Sequence, residues 1–346
     1  MIETILPKST IGIIGGGQLG RMLAMSAKEM GYKVAILDQR EDACARKFAD
    51  YFIHSAFNVH ENIEKLCEMS DVVTFEFENI DIKSYKKLED KYNFVQSSRL
   101  LEISQHRLKE KEYARSLGIP TVKYFDSNKD DYDIDGKYVM KTTRFGYDGK
   151  GQGMISSNEE VEEDTILEEF IDLDKEISVV AVKDIEGIQI VAVVENEHRE
   201  NILYRSNIPA KITEEQEDAA IEYSKRILND NDYYGVLTVE YFISNGKVIF
   251  NEIAPRVHNS GHITQQSASK SQFRAHIEAI CGLRVGKIEN REATLYNILG
   301  QNEDYFINLI TKKQGYLHLY EKEARHNRKI GHINFLGSVY LEEDFE

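Results

Sequence analysis

The sequence predicts a chain of mixed class, an α/β unit followed by an α+β unit and a small C-terminal piece. Three observations carry this. Strand-like and helix-like runs alternate over residues 1–95, as in a parallel α/β unit. From about residue 130 the apolar runs pair up as hairpins, and after about residue 285 a short segment ends in a basic cluster.

Each element has a local cause. Thr10 to Ile14 is a short apolar run that reads as a strand. Three glycines follow, then Leu19, Met22, Leu23, Ala27 and Met30 at helical spacing. Gly31 stops that helix, and Tyr32 to Leu37 reads as a second strand ending at Asp38. Ser70 to Ile80 supplies a further strand. In the middle unit VMK and GMI flank a glycine loop, EISVVAV precedes IQIVAVV, and VLTVEYF precedes KVIFNEI. The expected division is 1–98, 99–288 with a lid hairpin around 138–156, and 289–346.

A length of 346 residues fits two or three packed units, and 41% apolar with 29% charged residues is ordinary for a water-soluble protein. The formal charge of −16 disfavours a nucleic-acid partner, because phosphate backbones need a basic face. Cys44, Cys67 and Cys281 are far apart and lack metal-type spacing, so they read as reduced thiols. The N-terminus has no basic segment followed by an apolar one, and no apolar run reaches spanning length; a cytoplasmic protein is expected, with no membrane partner.

Residues 15–20, GGGQLG, satisfy the dinucleotide fingerprint, and Asp38 sits where a ribose-binding acid would. Alone, that reads as an NAD-dependent dehydrogenase. Any βαβ unit with a tight first turn also favours such glycines, and a P-loop is excluded because Arg21 and Met22 follow Gly20. The helix N-terminus at Gln18 is a site for some anion.

Residues 145–153, FGYDGKGQG, put four glycines inside a hairpin, where backbone N–H groups can approach phosphate oxygens. A surface hairpin without function would show the same composition. ILEEFI carries two acids in an apolar run, with Glu176 beyond it; ribose or adenine donors would satisfy them, and a solvated edge strand is the alternative. The hairpin holding Glu240 and Glu252 has two readings. A two-residue Asn245-Gly246 turn sets Glu240 against Asn251, whereas a three-residue Ser244-Asn245-Gly246 loop sets it against Phe250, with Glu252 a diagonal neighbour. The second register is adopted, because it lets the two carboxylates share a hard cation such as Mg²⁺. Past that strand, Ala254 to His262 gathers Arg256, His258, Asn259, Ser260 and His262; a fixed guanidinium suits a planar bicarbonate, and a plain capping loop is the alternative. Lys322, Arg325, Arg328 and Lys329 concentrate positive charge in an acidic chain.

GGGQLGRML, FEFEN, FGYDGKGQG, NEIAPRVHNSGH and KEARHNRKIGHIN, in this order, resemble the ATP-grasp superfamily and, within it, the N5-carboxyaminoimidazole ribonucleotide synthetase family. The resemblance runs over nearly the whole chain. It implies an ATP-grasp fold with an N-terminal Rossmann-like, parallel α/β pre-ATP-grasp domain and a small C-terminal domain. It also implies a cytoplasmic, magnesium-dependent, homodimeric ligase of purine biosynthesis, with Mn²⁺ as a substitute cation. The implied reaction joins bicarbonate to 5-aminoimidazole ribonucleotide, with ATP giving ADP and phosphate. Chains of that family usually continue past a position like Glu346.

By the same resemblance, Arg107, Lys141 and the loop Gly146, Tyr147, Asp148, Gly149, Lys150, Gly151 and Gln152 contact the triphosphate. Glu168, Glu169, Phe170 and Ile171 form the strand against adenine. Glu176 binds ribose with His198 nearby, and Asn251 belongs to the same site. Glu240 and Glu252 are implied metal ligands, and Arg256 with His258 the bicarbonate site. Gln18, Leu19, Glu76, Asn259, Lys322, Arg328 and Lys329 are implied for the ribonucleotide, so the glycine turn serves substrate rather than NAD. The rivals are a dehydrogenase, a non-enzymatic nucleotide sensor, and a formate- or glycinamide-using ribonucleotide ligase; retention of both Glu240 and Glu252 argues against the sensor.

Overall fold

The computed structural model describes residues 2–129, 133–146 and 151–341. Tyr147 to Lys150, within FGYDGKGQG, lie outside the described residues. Near the N-terminus the strands Tyr51–His54, Lys33–Asp38, Thr10–Ile14 and Val72–Phe75 form, in that spatial order, a parallel four-stranded sheet. The helix Gln18–Glu29 buries Met22, Leu23 and Ala27, the stripe the periodicity marks. Leu23, Ile11 and Val34 share one core with Val180, Val236, Phe273 and Ile277 of the middle unit. The two units therefore pack through a continuous apolar interior, which sets the groove between them.

An eight-stranded antiparallel sheet follows, ordered Lys247–Ala254, Gly235–Ser244, Lys175–Asp184, Gly187–Arg199, Ile202–Ile208, Ala293–Leu299, Lys329–Leu336, Tyr316–Leu319. Its last three strands come from the C-terminal piece. That piece has a small core of its own around Tyr296, Ile298, Phe306 and Phe335, yet its strands pair onto Ile202–Ile208, which would otherwise be an open edge. A third sheet holds Tyr124–Asp126, Thr165–Glu169, Tyr138–Thr142 and Gln152–Ile155, the last two being the flanks of the glycine hairpin. Among the described residues no helix is long and apolar enough to cross a membrane, and the three cysteines are free thiols.

The adopted hairpin register is corrected. Ser244 pairs with Lys247, so the turn is the two-residue Asn245-Gly246, both at positive φ (47° and 75°), the type I′ geometry that suits the twist of the strands. Tyr241 pairs with Phe250, but the register then shifts and Glu240 pairs with Glu252. A β-bulge with Asn251 as the extra residue, not a longer loop, puts the two acids opposite one another.

Candidate active site

Two cavities, of about 420 Å³ and 280 Å³, meet at a common wall of Arg107, Glu252, His258, Asn259 and Lys329. The larger lies between the N-terminal unit and the loop after Ala254; Gln18, Leu19, Glu76, Gly146 and Arg256 line it. The smaller lies between the large sheet and the hairpin sheet. Lys141, Gln152, Glu168 to Ile171, Glu176, His198, Glu240 and Asn251 line that one. Lys322, Arg328 and Gly151 line neither. Tyr147, Asp148, Gly149 and Lys150 fall outside the described residues.

The glycine turn is tied by acids from its own sheet. Asp38 accepts a hydrogen bond from the Gly16 amide at 2.6 Å, so it braces the turn rather than facing a cofactor ribose. Glu76 accepts from the amides of Gly20, at 2.6 Å, and of Gly17. A side chain at Gly17 would lie 2.6 Å from Glu76 Oε1, so this approach needs glycine. The anion expected at the helix N-terminus is thus Glu76 itself. Burial raises its pKa, against the two amides that lower it. Lys322 Nζ donates to Gln18 Oε1, and burial lowers the pKa of Lys322, with Arg328 and Lys329 pressing the same way. Arg328 donates to the Glu323 carbonyl at 3.1 Å.

The wall between the cavities rests on the helix Arg107–Ser116, in which the family resemblance singles out Arg107 alone. Arg107, Glu110 and Lys111 share one helix face, at spacings of three and four. That face covers the edge strand Lys247–Ala254. Lys111 Nζ donates to the Asn251 carbonyl at 3.0 Å, Glu110 Oε1 accepts from the Ile253 amide at 2.9 Å, and Arg107 Nη1 stands 3.4 Å from Glu252 Oε2. Backbone groups around the bulge are satisfied by side chains, which is why charged groups are buried there.

Glu168 lines the smaller cavity and is tied to two lysines. Its carboxylate lies 2.6 Å from Lys141 Nζ and 3.0 Å from Lys111 Nζ, and is buried. Burial would raise its pKa, but the two ammonium groups outweigh that and hold it at about 2. The donors this acid needs are lysines, and it fixes where Lys141 points. Glu176 pairs with His198 Nδ1 at 2.5 Å; burial lowers the His198 pKa, but Glu176 outweighs it and the net shift is upward.

Glu240 is pushed up to about 8, first by burial and then by the facing Glu252. Its Oε1 lies 3.5 Å from His258 Nε2, while His258 Nδ1 meets Ser260 Oγ at 2.9 Å. Burial holds His258 well below its usual pKa, aided by Arg256 and Lys329. Gln272 clamps this loop, accepting from the His258 amide at 2.9 Å and donating to its carbonyl at 2.6 Å. Asn251 Oδ1, both amide atoms of Asn259 and Arg256 Nε are buried without a hydrogen-bond partner among the described residues. Asn251 lines the smaller cavity, Arg256 the larger and Asn259 both, and a buried polar group of this kind can be satisfied by a ligand.

The paired acids fit a magnesium ion. Among the described residues no three His, Cys, Asp or Glu form a closed metal cage, whereas Mg²⁺ typically takes one or two carboxylates and completes its shell with phosphate oxygens and water. Two facing carboxylates, both lining the smaller cavity, are a donor set of that kind.

Three family models match the chain: the ribonucleotide synthetase preATP-grasp domain over residues 8–105, the ATP-grasp domain over 112–273, and the phosphoribosylaminoimidazole carboxylase C-terminal domain over 293–342. An N5-carboxyaminoimidazole ribonucleotide synthase of Brucella melitensis is 37% identical over 95% of this chain and 97% of its own. A crystal structure of an ADP complex of N5-carboxyaminoimidazole ribonucleotide synthetase superposes with a TM-score of 0.91 at 40% identity, over 97% of this chain and 94% of that one. The Staphylococcus aureus synthetase with ADP gives a TM-score of 0.91 at 34% identity, over 98% and 95% of the two chains.

Proposed function

The chain belongs to the N5-carboxyaminoimidazole ribonucleotide synthase family of ATP-grasp ligases, and from that premise we propose that its two joined cavities divide one reaction between them. It is an ATP-dependent ligase that carboxylates 5-aminoimidazole ribonucleotide in purine biosynthesis. ATP takes the cleft lined by Lys141, Glu169 to Ile171, Glu176 and His198. The ribonucleotide takes the cavity lined by Gln18, Leu19 and Glu76, and bicarbonate lies at the wall between them. The observation that carries this reading is that wall: Arg107, Glu252, His258, Asn259 and Lys329 border both cavities, so a group leaving one substrate can reach the other without crossing solvent.

Glu240 and Glu252 would hold Mg²⁺, which supplies charge neutralisation on the transferring phosphoryl group; Mn²⁺ is an alternative hard cation. Arg107, set between Glu252 and the Gly146 carbonyl at 3.3 Å, reaches the terminal phosphates, and Lys141 is aimed by Glu168. Arg256 and His258 hold bicarbonate, whose oxygen forms a bond to the γ-phosphorus as the bond to ADP breaks. The ribonucleotide amine then forms the N–C bond, phosphate departs and the amine proton is lost. The hairpin Tyr138–Thr142 and Gln152–Ile155 covers the cleft, keeping water from the carboxyphosphate.

A phosphate-release assay with ATP and Mg²⁺ tests the reading. Release should require bicarbonate and rise on addition of 5-aminoimidazole ribonucleotide. Release that follows formate or glycinamide ribonucleotide instead would assign the chain a different amine or carboxyl donor.

A further inference from the structure

We propose that Glu78 positions the guanidinium of Arg256 for bicarbonate, so that the site for the inorganic substrate is completed from the N-terminal unit. This rests on the assignment of Arg256 to bicarbonate made above. Glu78 stands two residues beyond Glu76, in the segment after the strand Val72–Phe75. Its main chain is fixed, the carbonyl accepting from the Ile80 amide at 2.8 Å and from Gln105 Nε2 at 2.7 Å. From that fixed point its Oε1 lies 2.7 Å from Arg256 Nη2, and the two side chains are only 18% and 16% exposed. On the other side Arg256 Nη1 donates to the Val257 carbonyl at 2.9 Å.

The guanidinium is therefore gripped at two of its three nitrogens, by a carboxylate from one unit and a carbonyl from its own loop. The third, Nε, is buried without a partner among the described residues. Glu78 and Arg256 both line the larger cavity. A planar fork held on two sides has one orientation, and its unused N–H groups present a fixed donor set to a planar anion. Without Glu78 the guanidinium keeps its charge but loses that orientation. Glu78 also brings a negative charge close to an anion site, which only a positioning role offsets.

The test is steady-state kinetics against bicarbonate, ATP and ribonucleotide separately, for Glu78→Ala, Glu78→Gln and Arg256→Ala, with thermal melts of each. Glu78→Ala should raise the bicarbonate KM about ten- to a hundredfold, the scale of a misplaced binding group, with the other two KM values nearly unchanged. Glu78→Gln should recover most of this, because its amide oxygen accepts the same N–H. Three results overturn the proposal: an unchanged bicarbonate KM in Glu78→Ala; a lowered one, as for a competing carboxylate; or an equal rise in all three KM values, as for a structural lesion. If Arg256→Ala raises the bicarbonate KM while Glu78→Ala does not, only the positioning role fails. Unaltered bicarbonate dependence in Arg256→Ala sinks the site assignment and this inference together. Should Glu78→Ala not fold, Glu78→Asp carries the same decision, since it draws the carboxylate back by one methylene.

Discussion

Glu240 and Glu252 face each other across an antiparallel pair whose two-residue turn, run regularly, would set Glu240 against Asn251. The bulge at Asn251 makes the difference, and Lys111 and Glu110 of the neighbouring helix hold the bulged strand by its main chain. Two carboxylates are thereby forced together, a costly arrangement unless a cation joins them. Glu240→Gln and Glu252→Gln should each remove most turnover, several kcal/mol of transition-state stabilisation. Glu240→Gln should melt no lower than the parent, because burial and the facing Glu252 already favour the neutral form of Glu240, which the amide replaces. Titration calorimetry of ADP with and without Mg²⁺ should show the metal's contribution to affinity lost in both variants. Retention of it would remove the metal from this pair.

The hairpin beside the smaller cavity depends on Gly151, at φ +70°, where an added Cβ would lie 2.6 Å from Thr142 Oγ1. Gly151→Val combines strain with a clash, so closure over the phosphates should be impaired while the remaining fold stands. Low turnover with a normal circular dichroism spectrum is expected. Normal kinetics would make the hairpin a bystander.

Lys329 and Arg328 should separate by position. Lys329 borders both cavities, so Lys329→Ala should raise the KM values of both ATP and ribonucleotide, the latter about ten- to a hundredfold for one charge-assisted contact. Arg328 is set back from both, so Arg328→Ala should raise only the ribonucleotide KM, by less, and the effect should fade as salt rises. Equal effects on ATP from both variants would place the basic cluster at the nucleotide.

Glu168 ties Lys141 and Lys111 together in the interior, and its folded-state pKa is depressed to about 2. A depressed carboxylate contributes stability that is present above its unfolded pKa and lost as pH falls through the folded value. Glu168→Gln should destabilise the protein by about 3–5 kcal/mol near neutrality, since it leaves buried ammonium groups unpaired. The gap in melting temperature should begin to narrow as pH drops below the usual glutamate range. A gap constant from pH 7 to pH 4 and below would show that the carboxylate is not the source of the effect.

Local chemistry determined much of this protein before any packing. The alternation of runs marks the parallel unit, Asn-Gly marks a hairpin, and the glycines of FGYDGKGQG mark an open turn, because period and turn preference act over a few residues. The residue types for nucleotide, metal and bicarbonate are likewise present in short segments, and most of those described line the two cavities. Tertiary structure alone decided who partners whom. A bulge changes a register by one residue without altering the periodicity on either side of it. The sequence thus supplies a reason for Glu240 to approach Glu252, but the pairing that achieves it is visible only in the folded sheet. The two lysines that Glu168 pairs with are visible only once the helix carrying Lys111 is packed against its strand. That Glu76 accepts from the Gly17 and Gly20 amides is visible only in the fold, and Glu78 reads as nothing until Arg256 arrives from a distant loop. A buried charge must find a partner, but the choice depends on which segments the shared core brings into contact, and that is a property of the whole fold.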